Sequence, residues 1–417
     1  MTTSVPPRAL QITIYIWFLF FGIVLFEPAP FDVLFVPVLF LTFVYNKLYI
    51  PPKMSWLRLW VGLFAIANLL SVFASPEVGR AFSFLSITLY MLLFCIFVAI
   101  LIYNYGTTVL DNMMSAYVVI AVISAVIGIL AMTHALPGAV IRFVTAYDAT
   151  RAKALFKDPN VYAPFLILAL VYALDKLLRS GASRIRWGAI ISILLLGILV
   201  SFSRAAWGAA LFSIVGYFLL TAFAEKNLTR LISSVFILLS LLALGAVVLG
   251  VFAQKAKMAE FIEQRAAMQS YDQDRFTVQK HAIVAGFSHP FGIGPGQSED
   301  AFVEYIGHGQ MTGATHSLFV RIISELGFLG ALSFLCLLLI TARRALWLCM
   351  KGDYKLRSLY CVFATGFFAT LVNSVVIDSL HWRHFFLVIG VIWGFAARER
   401  CVRGLYGPVA AETEGQP

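Results

Sequence analysis

The chain has 417 residues, of which 61% are apolar and 12% charged, against ~45–50% apolar and ~25% charged in ordinary soluble domains. Phe alone accounts for 37 positions, and mean hydropathy is +0.88. This excludes a disordered chain, a soluble enzyme and a disulfide-stapled secreted domain. The formal charge of +10 is no signal for nucleic acid in such a chain, where Lys and Arg report membrane side first.

Twelve apolar segments are expected as helices, at about 10–26, 31–50, 56–75, 81–103, 110–133, 159–178, 187–203, 205–224, 229–253, 316–342, 356–377 and 384–398. Each is near the ~20 residues that carry a helix across ~30 Å of hydrocarbon. Lipid offers no partner to free backbone groups, so helices are the default, and a β-barrel would show short alternating segments instead. The first segment is too long for a cleaved signal peptide and lacks a small-residue cleavage site. The expected fold is an all-α polytopic membrane protein. Spans one to nine lie within 1–253, a helical loop domain within 254–315, spans ten to twelve within 316–398, and a tail at 399–417.

Orientation follows from Lys and Arg. With the N-terminus in the cytoplasm, the basic loops Asp175–Arg186 and Arg343–Arg357 fall on the cytoplasmic side, as do both termini. The 254–315 loop then lies outside. Its stretches Lys255–Gln269 and Asp274–Phe287 carry apolar residues at helical spacing, the latter at Phe276, Val278, Ile283 and Val284. A glycine-rich turn, His289–Gly296, follows. Ser298 before Glu299 and Asp300 has the pattern of a helix start. None of Cys95, Cys336, Cys349, Cys361 and Cys401 falls in an outer loop, so disulfides are not expected.

Polar residues able to do chemistry gather on that outer side. Asp158-Pro159-Asn160 reads first as a helix entry, with Asn160 also available to a sugar hydroxyl. Arg204, in the tight turn SFSRAAWG, is either an interfacial snorkelling side chain or an anion clamp, because a planar guanidinium fits phosphate oxygens. Arg275 sits beside Asp272 and Asp274, and Arg265 near Glu260 and Glu263. Each has a local ion pair as its plain reading, and together they can surround a diphosphate. Asp272-Gln273-Asp274 has metal-ligand spacing but reads better as helix capping. The glycines Gly292, Gly294 and Gly296 are either an anion nest or a plain turn.

His316 is the sharpest single residue. It begins the tenth span, with Thr315 as cap. The positive end of a helix dipole favours neutral imidazole, the form a general base requires. Arg321 and Glu325 lie one to two turns further on and are spaced to neutralise each other at i,i+4 while orienting the helix that presents His316.

Four stretches together carry a resemblance: DPNVYAPFL at 158–166, SFSRAAWG at 201–208, DRFTVQKHAIVAGFSHPFGIGPG at 274–296 and HSLFVRIISELGFLG at 316–330. The chain resembles the superfamily of O-antigen ligases and O-antigen polymerases, bacterial glycosyltransferases acting on lipid-linked glycans. It departs from the family pattern at Ser317, where Asn usually follows the His. The resemblance implies an inner-membrane enzyme with a periplasmic active site. Its donor is a glycan on undecaprenyl diphosphate. Its acceptor, in the favoured ligase branch, is a sugar hydroxyl of lipid A–core, and neither metal nor other cofactor is needed. His316 is then the base in an inverting displacement, with Arg204 and Arg275 holding the diphosphate. Arg265, Asn160, Arg321 and Glu325 are expected around the substrates, and nucleic acid is not a partner. The alternatives are a polymerase that extends a lipid-linked chain, an oligosaccharyltransferase acting on protein, and a lipid-linked-glycan flippase. Transporters, however, place charges near the midplane, whereas here they collect at one face.

Overall fold

A computed structural model describes residues 5–146, 149–179, 183–226, 270–303 and 314–406, with Ile232, Leu239 and Ala243. The ninth expected span (apart from those three residues), Arg265, the Lys255–Gln269 stretch and the end of the tail lie outside the described residues.

The described chain is almost wholly helical. Its helices are α1 (Arg8–Leu19), α2 (Pro30–Val44), α3 (Ser55–Val72), α4 (Val78–Tyr105), α5 (Thr107–Met132), the short α6 (Gly138–Val144), α7 (Pro159–Arg179), α8 (Arg184–Val200), α9 (Arg204–Glu225), α10 (Ser270–Ser288), the one-turn α11 (Ser298–Ala301), α12 (Leu318–Lys351), α13 (Arg357–Ser374) and α14 (Arg383–Tyr406). A two-residue antiparallel ladder, β1 (Thr145–Ala146) with β2 (Arg151–Ala152), follows α6.

Seven described helical stretches are long and apolar enough to cross a bilayer: 52–72, 78–105, 107–132, 159–179, 204–225, 318–351 and 354–374. This is fewer than the twelve expected spans. The helix of the first apolar segment ends at Leu19, before a turn at residues 20–22, so α1 has 12 residues. α2 has 15 residues and carries Pro37 inside it, where the missing N–H weakens the ladder.

An aromatic cluster joins the N-terminal helices to the bundle. Trp17 stacks on Phe31 at 4.6 Å, and its indole N–H donates to the Phe31 carbonyl at 2.9 Å. Phe21, Phe94, Tyr117 and Phe165 complete the contact, with the Tyr117 hydroxyl donating to the Phe165 carbonyl at 2.7 Å. Large apolar side chains such as Phe40, Phe73, Phe223 and Leu339 point outward. Exposed apolar surface on this scale suits lipid rather than water.

The two ends of the bundle differ in chemistry. At one end Arg179 of α7 pairs with Asp175 at 2.9 Å and with Glu225 of α9 at 2.8 Å. There too Arg357, at the start of α13, donates to the Ala224 carbonyl at 3.1 Å. The C-terminus of α9 therefore meets the α12–α13 turn. The other end gathers the starts of α9 and α12, the α3–α4 turn and the α13–α14 turn, and it holds every described candidate residue.

Candidate active site

The site is built on a break in α12. Gly327 leaves helical geometry at φ 63°, ψ −163°, a conformation that only glycine adopts without strain. The break frees backbone groups that must find partners, and the His289–Gly296 turn supplies them. The Ile293 N–H donates to the Ser324 carbonyl at 2.9 Å, the Gly294 N–H to the Glu325 carbonyl at 3.1 Å, and the Phe328 N–H to the Pro290 carbonyl at 3.2 Å. Ser71, at the end of α3, also donates to the Glu325 carbonyl. A Cβ on Gly327 would stand 2.2 Å from the Pro290 carbonyl oxygen, and one on Gly292 would stand 2.1 Å from that of Glu325. The turn thus plugs the helix break, main chain against main chain.

The Glu325 carboxylate locks this joint. It accepts from Arg321 Nε at 2.9 Å, from the Gly296 N–H at 2.9 Å and from Ser298 Oγ at 2.6 Å. The anion at the glycine turn is therefore the protein's own glutamate. Ser298 spends its hydroxyl on Glu325, and Gln297 occupies the cap position of α11, so the expected Ser298 cap does not form. Glu299 and Asp300 of that turn face Arg80 of α4.

Arg321 does more than neutralise Glu325. Its Nη1 also pairs with Asp378 in the α13–α14 turn, and its guanidinium lies 5.1 Å over the Phe84 ring. One buried cation therefore stands between two carboxylates. Burial raises the Asp378 pKa, but Arg321 first, then His381, outweigh it and hold the carboxyl below its usual range. The Asp378 side chain stays 30% exposed. His381, three residues on, hydrogen-bonds Thr88 of α4 at 3.0 Å.

His316 sits just before α12, half-buried, with φ 45°. Left-handed backbone at a histidine costs of order 1–3 kcal/mol and persists only where its surroundings impose it. Thr315 does not cap the helix. Its hydroxyl reaches the Ser317 carbonyl at 3.5 Å, and Ser317 is the N-cap residue without a side-chain cap bond. The helix instead starts at Leu318, because the chain at 315 is pinned from outside: Gln279 of α10 donates to the Thr315 carbonyl at 2.9 Å. Arg275 lies one turn before Gln279 on the same face of α10, which brings its charge to His316. Burial first, and Arg275 second, lower the His316 pKa to about 4, against an opposing pull from Asp378. Burial and the neighbouring guanidinium thus both favour the neutral imidazole.

Arg204 is the first residue of α9 and half-buried. The turn before it is fixed by Asn160, whose Oδ1 accepts from Ser203 Oγ and from Arg151 Nη2, both at 2.9 Å. Arg151 Nε donates to the Ser201 carbonyl at 2.9 Å. The Asn160 N–H is capped by Asp158 Oδ1 at 2.5 Å, as the helix-entry reading expects. Asn160 thus ties the start of α7 to the turn that presents Arg204.

α10 forms where the apolar spacing predicts a helix. Val278 and Ala282 are buried against Phe302, Ile293 and Val320, whereas Phe276, Ile283, Val284 and Phe287 are exposed. Ile283 and Phe287, with Phe319, Ile323, Phe334 and Leu335 of α12, line an open groove of about 370 Å³ with almost wholly apolar walls.

Asp378, Arg80, Phe84 and Arg151 contact the candidate residues or the turns that carry them, and sequence reasoning passed over them. The first had a visible signal: Asp378, His381, Arg383 and His384 cluster in IDSLHWRH, between the last two expected spans.

No curated protein matches the chain. Residues 188–335 match the family model described as O-antigen ligase, a stretch from α8 to the middle of α12 that contains Arg204, Arg275, His316, Arg321 and Glu325. That match supports the O-antigen ligase superfamily for this part of the chain.

Proposed function

We propose that the protein is an O-antigen ligase, moving a glycan from undecaprenyl diphosphate to a sugar hydroxyl of lipid A–core at the periplasmic face of the inner membrane. The observation that carries the reading is His316, half-buried just before α12, where burial and Arg275 favour its neutral form, at the end of the bundle where α9 presents Arg204.

In this reaction the acceptor hydroxyl oxygen attacks the anomeric carbon. The bond from that carbon to the diphosphate oxygen breaks, and its electron pair leaves with the diphosphate. His316 takes the hydroxyl proton. Arg204 and Arg275, joined by Arg265, stabilise the charge growing on the leaving group. A single direct displacement inverts the anomeric centre. The arginines do the electrostatic work that a metal performs elsewhere, and no cofactor enters the step.

The site also tunes its base. Before the donor binds, Arg275 helps keep His316 unprotonated. A diphosphate on Arg275 cancels that field and leaves Asp378 to raise imidazole basicity, at the moment when proton transfer is needed. The apolar groove along α10 and α12 suits the polyprenyl chain, since its open side continues onto exposed apolar surface.

Reconstitution with a polyprenyl-diphosphate glycan and lipid A–core tests this reading. The expected product is lipid A–core bearing the glycan with inverted anomeric configuration. A lengthened polyprenyl-linked glycan would identify a polymerase, and unmodified donor carried across the bilayer a flippase.

A further inference from the structure

The opposite end of the bundle holds a buried cation with no counter-charge among the described residues. Arg344 of α12 is only 3% exposed, and its Nε and Nη1 have no hydrogen-bond partner. Its guanidinium lies 3.7 Å over the ring of Trp393 in α14, and the Trp393 indole N–H donates to Thr341 Oγ1 at 2.8 Å. The charges acting on it are those of Arg400 and Arg343, both cations. Arg400 and Arg403 each stand 5.3 Å from the Trp347 ring. Glu399, the nearest acid in sequence, instead accepts from the Tyr360 hydroxyl at 2.7 Å. Among the described residues no carboxylate pairs with any of these four arginines.

A guanidinium held out of water needs an anion, since a buried charge left uncompensated is strongly destabilising. The surface beside it suits an amphiphile. Leu332, Leu335 and Leu339 are exposed and lead at helical spacing along α12 to the exposed Arg343. A free phosphate would use the arginines alone, whereas a phospholipid uses the arginines and the leucine stripe together. We propose that Arg344, with Arg343, Arg400 and Arg403, binds the phosphate of an anionic phospholipid at the end of the bundle remote from His316. Basic pockets between helices on a cytoplasmic face take such headgroups, and the clustering of Lys and Arg here assigns this end to that face.

The test uses the purified full chain stripped of lipid, with binding read by native mass spectrometry. Phosphatidylglycerol is the probe, phosphatidylcholine the comparison, and inorganic phosphate the competitor. Phosphatidylglycerol should bind about tenfold or more tighter than phosphatidylcholine, the scale of one charge-assisted buried contact. Inorganic phosphate should not displace it. Arg344→Met should abolish the preference, and Arg344→Lys should keep only part of it, because a point charge replaces the fork. Arg400→Ala, an exposed change, decides the matter if the Arg344 variants fail to fold, and should weaken the preference several-fold. Wild-type preference in Arg344→Met or Arg400→Ala would overturn the proposal. So would full displacement by inorganic phosphate, which would mean a free-anion site.

Discussion

Glu325→Ala should uncouple the glycine turn from the broken helix. The carboxylate is 2% exposed and serves Arg321 Nε, the Gly296 N–H and Ser298 Oγ. Each bond to an ionised group contributes ~1.5–3 kcal/mol in isolation. They share one carboxylate and do not add, and removing one partner of a buried pair costs ~3–5 kcal/mol. Asp378 still balances part of the Arg321 charge, which places the expected loss at the lower end, ~3 kcal/mol. Glu325→Gln keeps the shape and one carbonyl acceptor, enough for Arg321 or for the turn but not both, so ~1–2 kcal/mol is expected. The assay is denaturant unfolding of purified variants in mixed micelles, with proteolysis at the 289–297 turn as a local readout. A Glu325→Ala protein within ~1 kcal/mol of wild type, or a Gln variant as damaged as the Ala variant, would refute the lock.

Gly327→Ala combines a φ of 63° with a Cβ 2.2 Å from the Pro290 carbonyl oxygen, so it should cost more than ~2 kcal/mol; unchanged thermal unfolding would contradict the interlock. His316 must be unprotonated to act as base, and its pKa lies near 4 rather than 6.5. The acid limb of kcat/KM, which reports the free enzyme, should therefore fall well below pH 6. Asp378→Asn removes the charge that raises this pKa and should move the limb to still lower pH; a limb fixed at 6.5 in both proteins would remove the assignment. Arg204→Lys and Arg275→Lys should each lower transfer ~10–100-fold, because a point charge cannot reproduce bidentate geometry; wild-type transfer rates in both would show that net charge alone suffices.

Much of this was legible because single residues carry strong local signals. Apolar length located helices, and the run of arginines with one histidine marked one end of the bundle. What stayed hidden depends on tertiary contact. The i,i+4 spacing of Arg321 and Glu325 suggests a closed pair, yet Asp378, 57 residues away, makes it a triad. The glycines of HPFGIGPG look like a plain turn until Gly327 shows that they fill a helix break; an E-x-G in the middle of an expected span was the available clue. The α10 spacing predicts a helix but not which of its apolar residues are buried: Val278 and Ala282 pack against protein, whereas Phe276, Ile283, Val284 and Phe287 are exposed. Thr315 failed as a cap because Gln279 holds its carbonyl, a contact between segments far apart in sequence. α1 and α2 likewise end before the apolar segments that hydropathy alone extends.

Single-turnover transfer by His316→Ala, with donor binding measured on the same protein, tests the central claim most directly. General-base loss should slow transfer ~10²–10⁴-fold, while the donor still binds through the arginines with affinity close to wild type. Transfer at the wild-type rate would show that the proton leaves by another route and that the half-buried imidazole beside Arg275 is not the base.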